Sequence, residues 1–410
     1  MKLNHVNTGI LCIIVFVLLS FSFGHAAVSS QWRGFNRDGI YQETGLLKAW
    51  PADGPKQLWS TDGLGRGFSQ PAVTNDRVFV TGEISGTGYL FAFDHTGKQI
   101  YKKAYGPEWT KSFPGVRTTP TVVDDQLYIV SAQGAVVCMK ASDGSVLWSV
   151  DMVKTFGAQQ PQWAFCESVL IDGEHAICTP GGSKVTLAAL DRNTGKTIWT
   201  CNGNGDKPSY CSPILITRGG QRIIITMTQK SIIAVNADTG NLLWNQTHQT
   251  DWDVNPNSIT YKDGMAYAVS GYGTGGQMLK LSADGSKIEQ VWKSGDLDSQ
   301  IGATILMNGY IYGSGMNNRG WKCVDWNTGK TLYTSDALGK GCVVAAEGML
   351  YCYTEKGEVA LAKPSPASFD VVSSFKIKQG SEQHWAHPVI KAGRMYIRHG
   401  NALMVFDVKK

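Results

Sequence analysis

Residues 189–199 read Ala189-Leu-Asp191-Arg-Asn-Thr-Gly195-Lys-Thr-Ile-Trp199, a polar turn between two apolar segments. An Asp or Asn side chain caps a tight reversal, and glycine adopts the positive φ that β-branched residues avoid. The tryptophan after the turn is large enough to fill the wedge between two twisted sheets. We therefore interpret this stretch as the outer hairpin of a small antiparallel sheet, with Trp199 in a structural role.

The same turn recurs along the chain. Its glycines are spaced by 47, 51, 45, 45 and 44 residues, and an aromatic residue follows each of them. These glycines are Gly97, Gly144, Gly195, Gly240, Gly285 and Gly329. A second signature, a small residue or Pro followed by apolar alternation, precedes each turn and occurs eight times, starting at Pro71, Pro120, Ser168, Pro213, Ser258, Ala303, Cys342 and Pro388. A period near 45 residues with four short strands is typical of a propeller blade.

The last copy has only three strands before Lys410. A fourth is available at residues 55–60, where Leu58 and Trp59 resemble a final strand, and the segment before it carries no strand pattern of its own. Joining the first strand to the last would close the ring and remove an exposed edge. We expect an all-β chain, an eight-bladed β-propeller over residues 55–410, with residues 27–54 as an extension lying against it.

The first 26 residues have the pattern of a targeting segment. Lys2 precedes an apolar run, residues 10–23, and small residues follow it, with Ala26 or Ala27 as the expected cleavage point. This pattern indicates a secretory signal peptide over residues 1–26; the alternative is an uncleaved anchor, for which fourteen residues are short. Cys12 lies inside the apolar run rather than at a lipidation site. We expect the protein to be exported to the periplasm, to the cell surface or to the exterior of the cell.

The amino-acid composition limits the kinds of partner that the protein can bind. The formal net charge is +5 with no basic runs, which argues against nucleic acid. The 42% hydrophobic fraction is enough for a core, and no later segment reaches membrane-spanning length. Eight cysteines follow the signal without a C-x-x-C pair, and we interpret most of them as small buried hydrophobes in strands, although export permits disulfides.

The runs ending in Trp199 and Trp244 resemble the tryptophan-docking motif of the quinoprotein (PQQ-like) β-propeller family. The resemblance covers about residues 55–410 and implies the fold. The family includes PQQ-dependent alcohol dehydrogenases and non-catalytic propellers of the BamB type, an outer-membrane protein assembly factor. The segment Gln31-Trp32-Arg33-Gly34-Phe-Asn-Arg37-Asp38-Gly39 is similar to a leader of small exported PQQ-like repeat proteins.

Inner strands of a propeller begin at one mouth of its channel, so residues just before them should ring a funnel. The candidate binding residues are Arg66, Arg117, Trp163, Tyr210, Asp253, Asn255, Lys340, His384, Trp385 and His387. Cations and aromatic faces suit a flat acidic ligand such as PQQ, and a peptide or polysaccharide would also fit. The alternative is a solvated funnel without a small ligand.

Dehydrogenase chemistry with PQQ would also need Ca²⁺ and a carboxylate base. Asp251, Asp253 and Asn255 share one loop, and Glu167 stands at another inner-strand start, but neither forms a recognisable calcium loop. His384 and His387 could share a metal, yet no third ligand is evident, so we interpret them as funnel lining. The chain also lacks the adjacent Cys-Cys pair and the long insertions of the dehydrogenases it resembles.

With no complete catalytic set, we expect a non-catalytic exported scaffold similar in architecture to BamB. Its partner would be an envelope protein or an extracellular polymer, and we expect a monomer without a required cofactor. The alternative is a PQQ-dependent dehydrogenase that uses PQQ and Ca²⁺ to oxidise an alcohol or a sugar.

Overall fold

The computed structural model describes residue 1 and residues 28–410. The predicted signal peptide, residues 1–26, lies outside the described residues except for Met1. In the part of the chain that is described, no helix is both long enough and apolar enough to cross a membrane.

The described chain forms eight antiparallel sheets, the blades of one propeller, which confirms the predicted fold. Three strands precede the first complete blade: β1 (Val28–Ser30), β2 (Ile40–Tyr41) and β3 (Gln57–Thr61). Blade one comprises β4 (Ala72–Val73), β5 (Val78–Ile84), β6 (Thr87–Phe93) and β7 (Gln99–Pro107). Blade two comprises β8 (Thr121–Val123), β9 (Gln126–Val130), β10 (Ala135–Lys140) and β11 (Val146–Asp151), and blade three comprises β12 (Leu170–Asp172), β13 (His175–Cys178), β14 (Leu187–Asp191) and β15 (Thr197–Cys201). Blade four comprises β16 (Ile214–Arg218), β17 (Gln221–Met227), β18 (Ser231–Asn236) and β19 (Leu242–Thr247).

Blade five comprises β20 (Thr260–Lys262), β21 (Met265–Ser270), β22 (Gly275–Leu281) and β23 (Ile288–Ser294), and blade six comprises β24 (Ile305–Met307), β25 (Tyr310–Ser314), β26 (Trp321–Asp325) and β27 (Thr331–Ser335). Blade seven comprises β28 (Gly341–Ala346), β29 (Met349–Thr354), β30 (Glu358–Lys363) and β31 (Asp370–Lys376). Blade eight comprises β32 (Val389–Lys391), β33 (Arg394–His399) and β34 (Ala402–Asp407) together with β3. Among the described residues there is one short helix, α1 (Met152–Phe156), which follows β11 and is capped by the Asp151 side chain. The sequence pattern had indicated no helix after the signal.

Neighbouring blades are joined by the predicted tryptophan contacts. Trp199 donates its indole N–H to the carbonyl of Ala237 at 3.0 Å, in the turn of the next blade. Gly240 of that turn has φ +76°, and a Cβ there would lie 2.7 Å from the Trp199 ring. The turn therefore requires glycine both for its backbone conformation and for the close approach of the indole. The same arrangement joins Trp148 to Gly195 and Trp292 to Gly329.

The ring closes as the sequence predicted. Strand β3 pairs antiparallel with β34, with Trp59 opposite Val405 and Thr61 opposite Leu403. Trp59 then docks on blade one, where its indole N–H donates to the carbonyl of His95 at 3.1 Å and its ring covers Gly97. The N-terminal strand therefore supplies both the outer edge of blade eight and its contact with the first blade.

The segment before β3 differs from expectation, because it does contain strands and part of it enters the channel. Strand β1 pairs antiparallel with β8, the inner strand of blade two, and β2 pairs parallel with β28, the inner strand of blade seven. Strand β1 therefore runs against the inner strands, whereas β2 runs with them. The chain enters the channel through one mouth, turns, and leaves through the same mouth. We call residues 28–41 the plug.

The plug contacts the innermost part of every blade. Arg33 donates to the carbonyls of Thr304 (2.8 Å) and Val343 (3.2 Å) and to His387 Nδ1 (3.1 Å), in blades six, seven and eight. Arg37 donates to carbonyls of blades three and four, those of Ser168 (3.1 Å), Val169 (2.5 Å) and Pro213 (2.9 Å). Trp32 reaches Ser258 Oγ of blade five, Ser30 Oγ accepts from the Val73 N–H of blade one, and β1 covers blade two.

Both plug arginines are 2% exposed and have φ values of +57° (Arg33) and +58° (Arg37). A buried guanidinium is costly unless its donors are paired, and a left-handed backbone is unfavourable for arginine. The many carbonyl acceptors that converge on each side chain offset these costs. The plug is therefore held as a fixed hub of the ring.

The cysteines follow the interpretation made from sequence. All eight cysteines of the described residues are free, and all but Cys166 are buried. Burial raises the pKa of the Cys342 thiol to about 12, so this thiol is neutral inside its strand. They fill space between strands rather than crosslinking them.

Candidate functional site

The mouth where the inner strands begin holds a cavity of about 260 Å³. Seven aromatic rings line it, and most of its residues come from the plug and from the loops that enter the inner strands. The rings that line it are Trp32, Phe68, Phe113, Trp163, Tyr210, Tyr272 and Trp385. The funnel predicted from sequence is therefore present, but the plug closes its base and makes it a one-ended cavity.

The plug supplies the floor of this funnel cavity. The Trp32 ring lies 4.8 Å from the His387 ring, centroid to centroid. His387 Nε2 lies 2.9 Å from the carbonyl of Ile301 and must donate to it, so Nδ1 is the acceptor for Arg33. Burial, followed by the charge of Arg33, lowers the pKa of His387 to about 3. His387 is therefore a neutral support for the floor.

One wall combines three rings and a cation. Trp385 lies 4.9 Å from Phe68 and 5.2 Å from Phe113, centroid to centroid. The guanidinium of Arg117 lies 5.7 Å from the Phe68 centroid and donates to the carbonyl of Phe113 at 2.6 Å. Burial lowers the pKa of Arg117 from its ordinary value, but a guanidinium still remains charged at neutral pH. This wall can stack a flat group and present one positive charge.

Two phenol groups, those of Tyr210 and Tyr272, also line the cavity. Tyr210 accepts a hydrogen bond from the Trp163 backbone N–H at 3.2 Å, and Tyr272 accepts one from Gln300 Nε2 at 2.7 Å. Burial raises the pKa of Tyr210 to about 12, so its hydroxyl keeps its proton. Each hydroxyl is used as an acceptor by the protein, and each can still donate to a ligand.

Glu167 is the one carboxyl group in the lining, and it is 5% exposed. Its Oε1 accepts from the Thr179 backbone N–H at 2.6 Å, whereas Oε2 has no hydrogen-bond partner among the described residues. Burial raises the pKa of Glu167 to about 7, against the opposing effects of Thr179 and of the charge on Arg37. A carboxyl group of this kind can accept or donate at neutral pH.

The ionisation of Glu167 should make stability pH-dependent. Its folded pKa of about 7 lies above its ordinary value of 4.5, so the folded state binds more protons between these values. Its contribution to stability is full below pH 4.5 and is lost as the pH rises through 7. Glu167→Gln stays neutral, and we expect it to be more stable than the native protein by up to about 3 kcal/mol at pH 8 and by almost nothing at pH 4.

Denaturant unfolding of both proteins at several pH values measures this difference. The buried histidines are present in both proteins, so their titration cancels in the comparison. A stability difference that stays constant from pH 4 to pH 8 would show that Glu167 does not titrate in this range.

Five of the ten predicted site residues line the funnel cavity: Arg117, Trp163, Tyr210, Trp385 and His387. Lys340 and His384 lie in an adjoining crevice that shares Gln300 and Trp385 with it. Lys340 pairs with Glu355 at 2.9 Å. The His384 ring stacks on His399 with a centroid distance of 3.6 Å, so His384 and His387 do not share a site.

The other three predicted residues lie outside the lining of this cavity. Arg66 pairs with Glu83 at 2.7 Å. Asp253 accepts a hydrogen bond from Gln229 Nε2. Asn255 is fully buried, donates to the carbonyl of Thr228 and accepts from Ser270 Oγ.

The loop that holds Asp251, Asp253 and Asn255 does not fit a Ca²⁺ site. Asn255 Oδ1 accepts a hydrogen bond from Ser270 Oγ, and Asp253 Oδ2 accepts one from Gln229 Nε2, so both oxygens are already used within the protein. Within residue 1 and residues 28–410, no group of three or more His, Cys, Asp or Glu side chains is placed to hold a metal ion.

Sequence reasoning did not place Trp32, Phe113 and Tyr272 in the site. Phe113 belongs to the connection between blades one and two, and Tyr272 to the Gly271–Gly276 loop between β21 and β22. Glu167 had been noted only as a possible base. A second cavity of about 660 Å³ lies at the opposite mouth, where the plug residues Gly34 and Phe35 line it.

The fold and its funnel define a PQQ-like β-propeller. A family model described as outer membrane protein assembly factor BamB matches residues 86–335. The chain belongs to this family. It is 26% identical to BamB of Moranella endobia over 302 residues, which cover 69% of this chain and 73% of that protein.

Solved structures show the same fold. The crystal structure of BamB from Moraxella catarrhalis superposes with a TM-score of 0.62 at 17% identity, covering 86% of this chain and 99% of that one. Quinohemoprotein alcohol dehydrogenase from Comamonas testosteroni gives a TM-score of 0.64 at 12% identity, covering 94% and 82% respectively. At these identities the likeness concerns the fold.

Proposed function

We propose that this chain is an exported, non-catalytic binding scaffold of the cell envelope. Residues 1–26 serve as its export signal, residues 27–54 include the plug, and residues 55–410 form the ring that presents the funnel cavity to a partner in the periplasm. The observation that carries this proposal is the plug, because it contacts all eight blades and converts an open channel into a rigid, one-ended recess. Membership of the BamB family supports the scaffold role.

A rigid recess at the convergence of eight loops is suited to recognition. Loops on a fixed frame commonly carry binding residues. The exposed ring of Phe113 stands at the cavity beside Trp385 and Arg117, where a partner can reach it. These groups can bind without a chemical step.

A PQQ-dependent dehydrogenase is the second candidate. It is favoured by the position of Arg117 over Phe68 in an aromatic cavity, which suits a flat carboxylate ligand. It is opposed by the loop of Asp253 and Asn255, whose side-chain oxygens are used within the protein and do not form a calcium site.

A photo-crosslinking amino acid at position 113 should capture a discrete envelope partner in the source cell. The same amino acid at position 198, an equally exposed apolar position on an outer strand, is the matched control. We expect a crosslinked band from position 113 that disappears when Trp163→Ala is added. Equal labelling from both positions, or dye reduction by purified protein supplied with PQQ, Ca²⁺ and an alcohol, would contradict the scaffold role.

A further inference from the structure

The funnel cavity offers stacking surfaces on several sides. Trp385 and Phe68 form one wall, Trp163 and Tyr210 lie on another with their ring centroids 6.4 Å apart, and Trp32 forms the floor. Aromatic faces bind the C–H-bearing faces of saturated rings as well as flat aromatic groups. The shape of the recess therefore favours a ring-shaped ligand.

The cavity also holds hydrogen-bonding groups that the protein leaves partly unused. Glu167 Oε2 is a buried acceptor without a partner among the described residues. The hydroxyl groups of Tyr210 and Tyr272 act only as acceptors, so their protons have no protein acceptor in the described part of the chain. A buried polar atom without a partner costs about 1–3 kcal/mol, and a ligand that supplies the partner recovers this cost.

The size of the cavity limits the ligand. About 260 Å³ is slightly below the range of roughly 300–1,000 Å³ that is usual for small-molecule sites. One six-membered ring suits this space better than a fused three-ring cofactor does. Because the recess opens at the funnel mouth, further units of a chain can lie outside it.

We propose that the funnel cavity binds one neutral pyranose ring of an oligosaccharide, stacked against Trp385 or Trp163, with a sugar hydroxyl donating to Glu167 Oε2. This inference rests on the proposed function, for which it names the ligand class. The phenol groups of Tyr210 and Tyr272 donate to other sugar oxygens.

The charges in the recess favour a neutral ligand over ionic ones. A cationic group near Glu167 would share the cavity with Arg117, and Arg37 lies close behind Glu167. A flat polycarboxylate would pair with Arg117 but would bring carboxylates toward the carboxyl group of Glu167, which needs a hydrogen-bond donor. Only a ligand that is rich in both hydrogen-bond donors and acceptors satisfies both Arg117 and Glu167.

Saturation-transfer NMR on the mature protein tests this with an equimolar mixture of maltose, cellobiose, lactose and N,N′-diacetylchitobiose, and separately with PQQ and with a choline salt. We expect transfer to one pyranose unit of at least one disaccharide, with a Kd that titration of tryptophan fluorescence then measures. No transfer from any of these sugars at millimolar concentration would overturn the proposal, as would binding of PQQ or choline in their place.

Variants identify the site. Glu167→Gln keeps the shape of the side chain and is expected to weaken sugar binding about tenfold, the loss of one good hydrogen bond. Trp163→Ala should abolish binding, with Trp163→Phe as the milder replacement should the alanine variant not fold. Trp252→Ala is the control, since Trp252 is exposed, lies before an inner strand and is not part of the cavity lining.

Two results contradict the assignment to this cavity: unchanged binding by folded Glu167→Gln, or an equal loss in Trp252→Ala. Failure of the sugar proposal is distinguishable from failure of the scaffold proposal. A position-113 crosslink that persists in a protein without sugar binding leaves the scaffold role standing with another ligand class.

Discussion

Replacing Arg33 and Arg37 together by methionine is expected to lower the free energy of unfolding by about 6 kcal/mol, on the basis of about 1–3 kcal/mol for each buried carbonyl that is left without its donor. Methionine keeps a long flexible side chain but has no donors. The carbonyls that these guanidinium groups bind, among them those of Thr304, Val169 and Pro213, would stay buried without partners. Guanidinium chloride unfolding followed by tryptophan fluorescence measures the loss as a shift of the midpoint.

The control for this experiment is Arg319→Met. Arg319 is exposed, and its side chain makes no hydrogen bond in the described structure, so its replacement should change stability by less than about 0.5 kcal/mol. The single variants should each give about half of the double effect, because Arg33 binds blades six to eight and Arg37 binds blades three and four. A native-like midpoint for the double variant would show that the plug is not a structural hub.

The ring itself could be predicted from sequence because its signals are local and repeated. The turn glycine and the aromatic residue four to seven positions later, as in Gly195 and Trp199, are set by contacts within one hairpin and with the next. Six copies of the turn and eight copies of the strand start together make one strong signal. Leu58 and Trp59 were recognisable as a strand because the last copy lacked one.

The plug could not be predicted in the same way. Its strands are two or three residues long, and five of the carbonyls that its arginines bind lie 131 to 310 residues away, which leaves no mark on the sequence. Arg33 and Arg37 look like ordinary polar residues of a loop. Their burial follows only from the arrangement of the inner strands around them.

The site was predictable to the extent that it depends on where inner strands begin. That rule placed Arg117, Trp163 and Trp385 correctly in the funnel. It failed for Asn255, whose amide turns inward to satisfy backbone carbonyls, and it could not identify Trp32, which arrives from the plug. Side-chain direction in a loop depends on which neighbours remain unsatisfied, and a strand count does not contain this information.

Trp59→Ala is expected to destabilise the protein by about 3 kcal/mol and to open the ring at the junction of blades eight and one. Trp59 holds β3 against blade one through His95 and Gly97, while β3 covers the edge of β34. This place in the ring differs from the others because β3, the outer strand of blade eight, is held to β34 by pairing alone, whereas the outer strand of every other blade follows its neighbouring strand in the chain. Loss of the indole should therefore free β3 and expose β34.

Trp148→Ala is the matched variant, because Trp148 makes the same contacts with Arg192 and Gly195 from β11, which follows β10 of its own blade directly in the chain. We expect a similar global loss for both variants. Hydrogen exchange at residues 402–407 should be about 100-fold faster in Trp59→Ala than in Trp148→Ala, the equivalent of about 3 kcal/mol of local stability. Equal exchange at these residues would mean that the pairing of β3 with β34 keeps blade eight closed without the Trp59 contact.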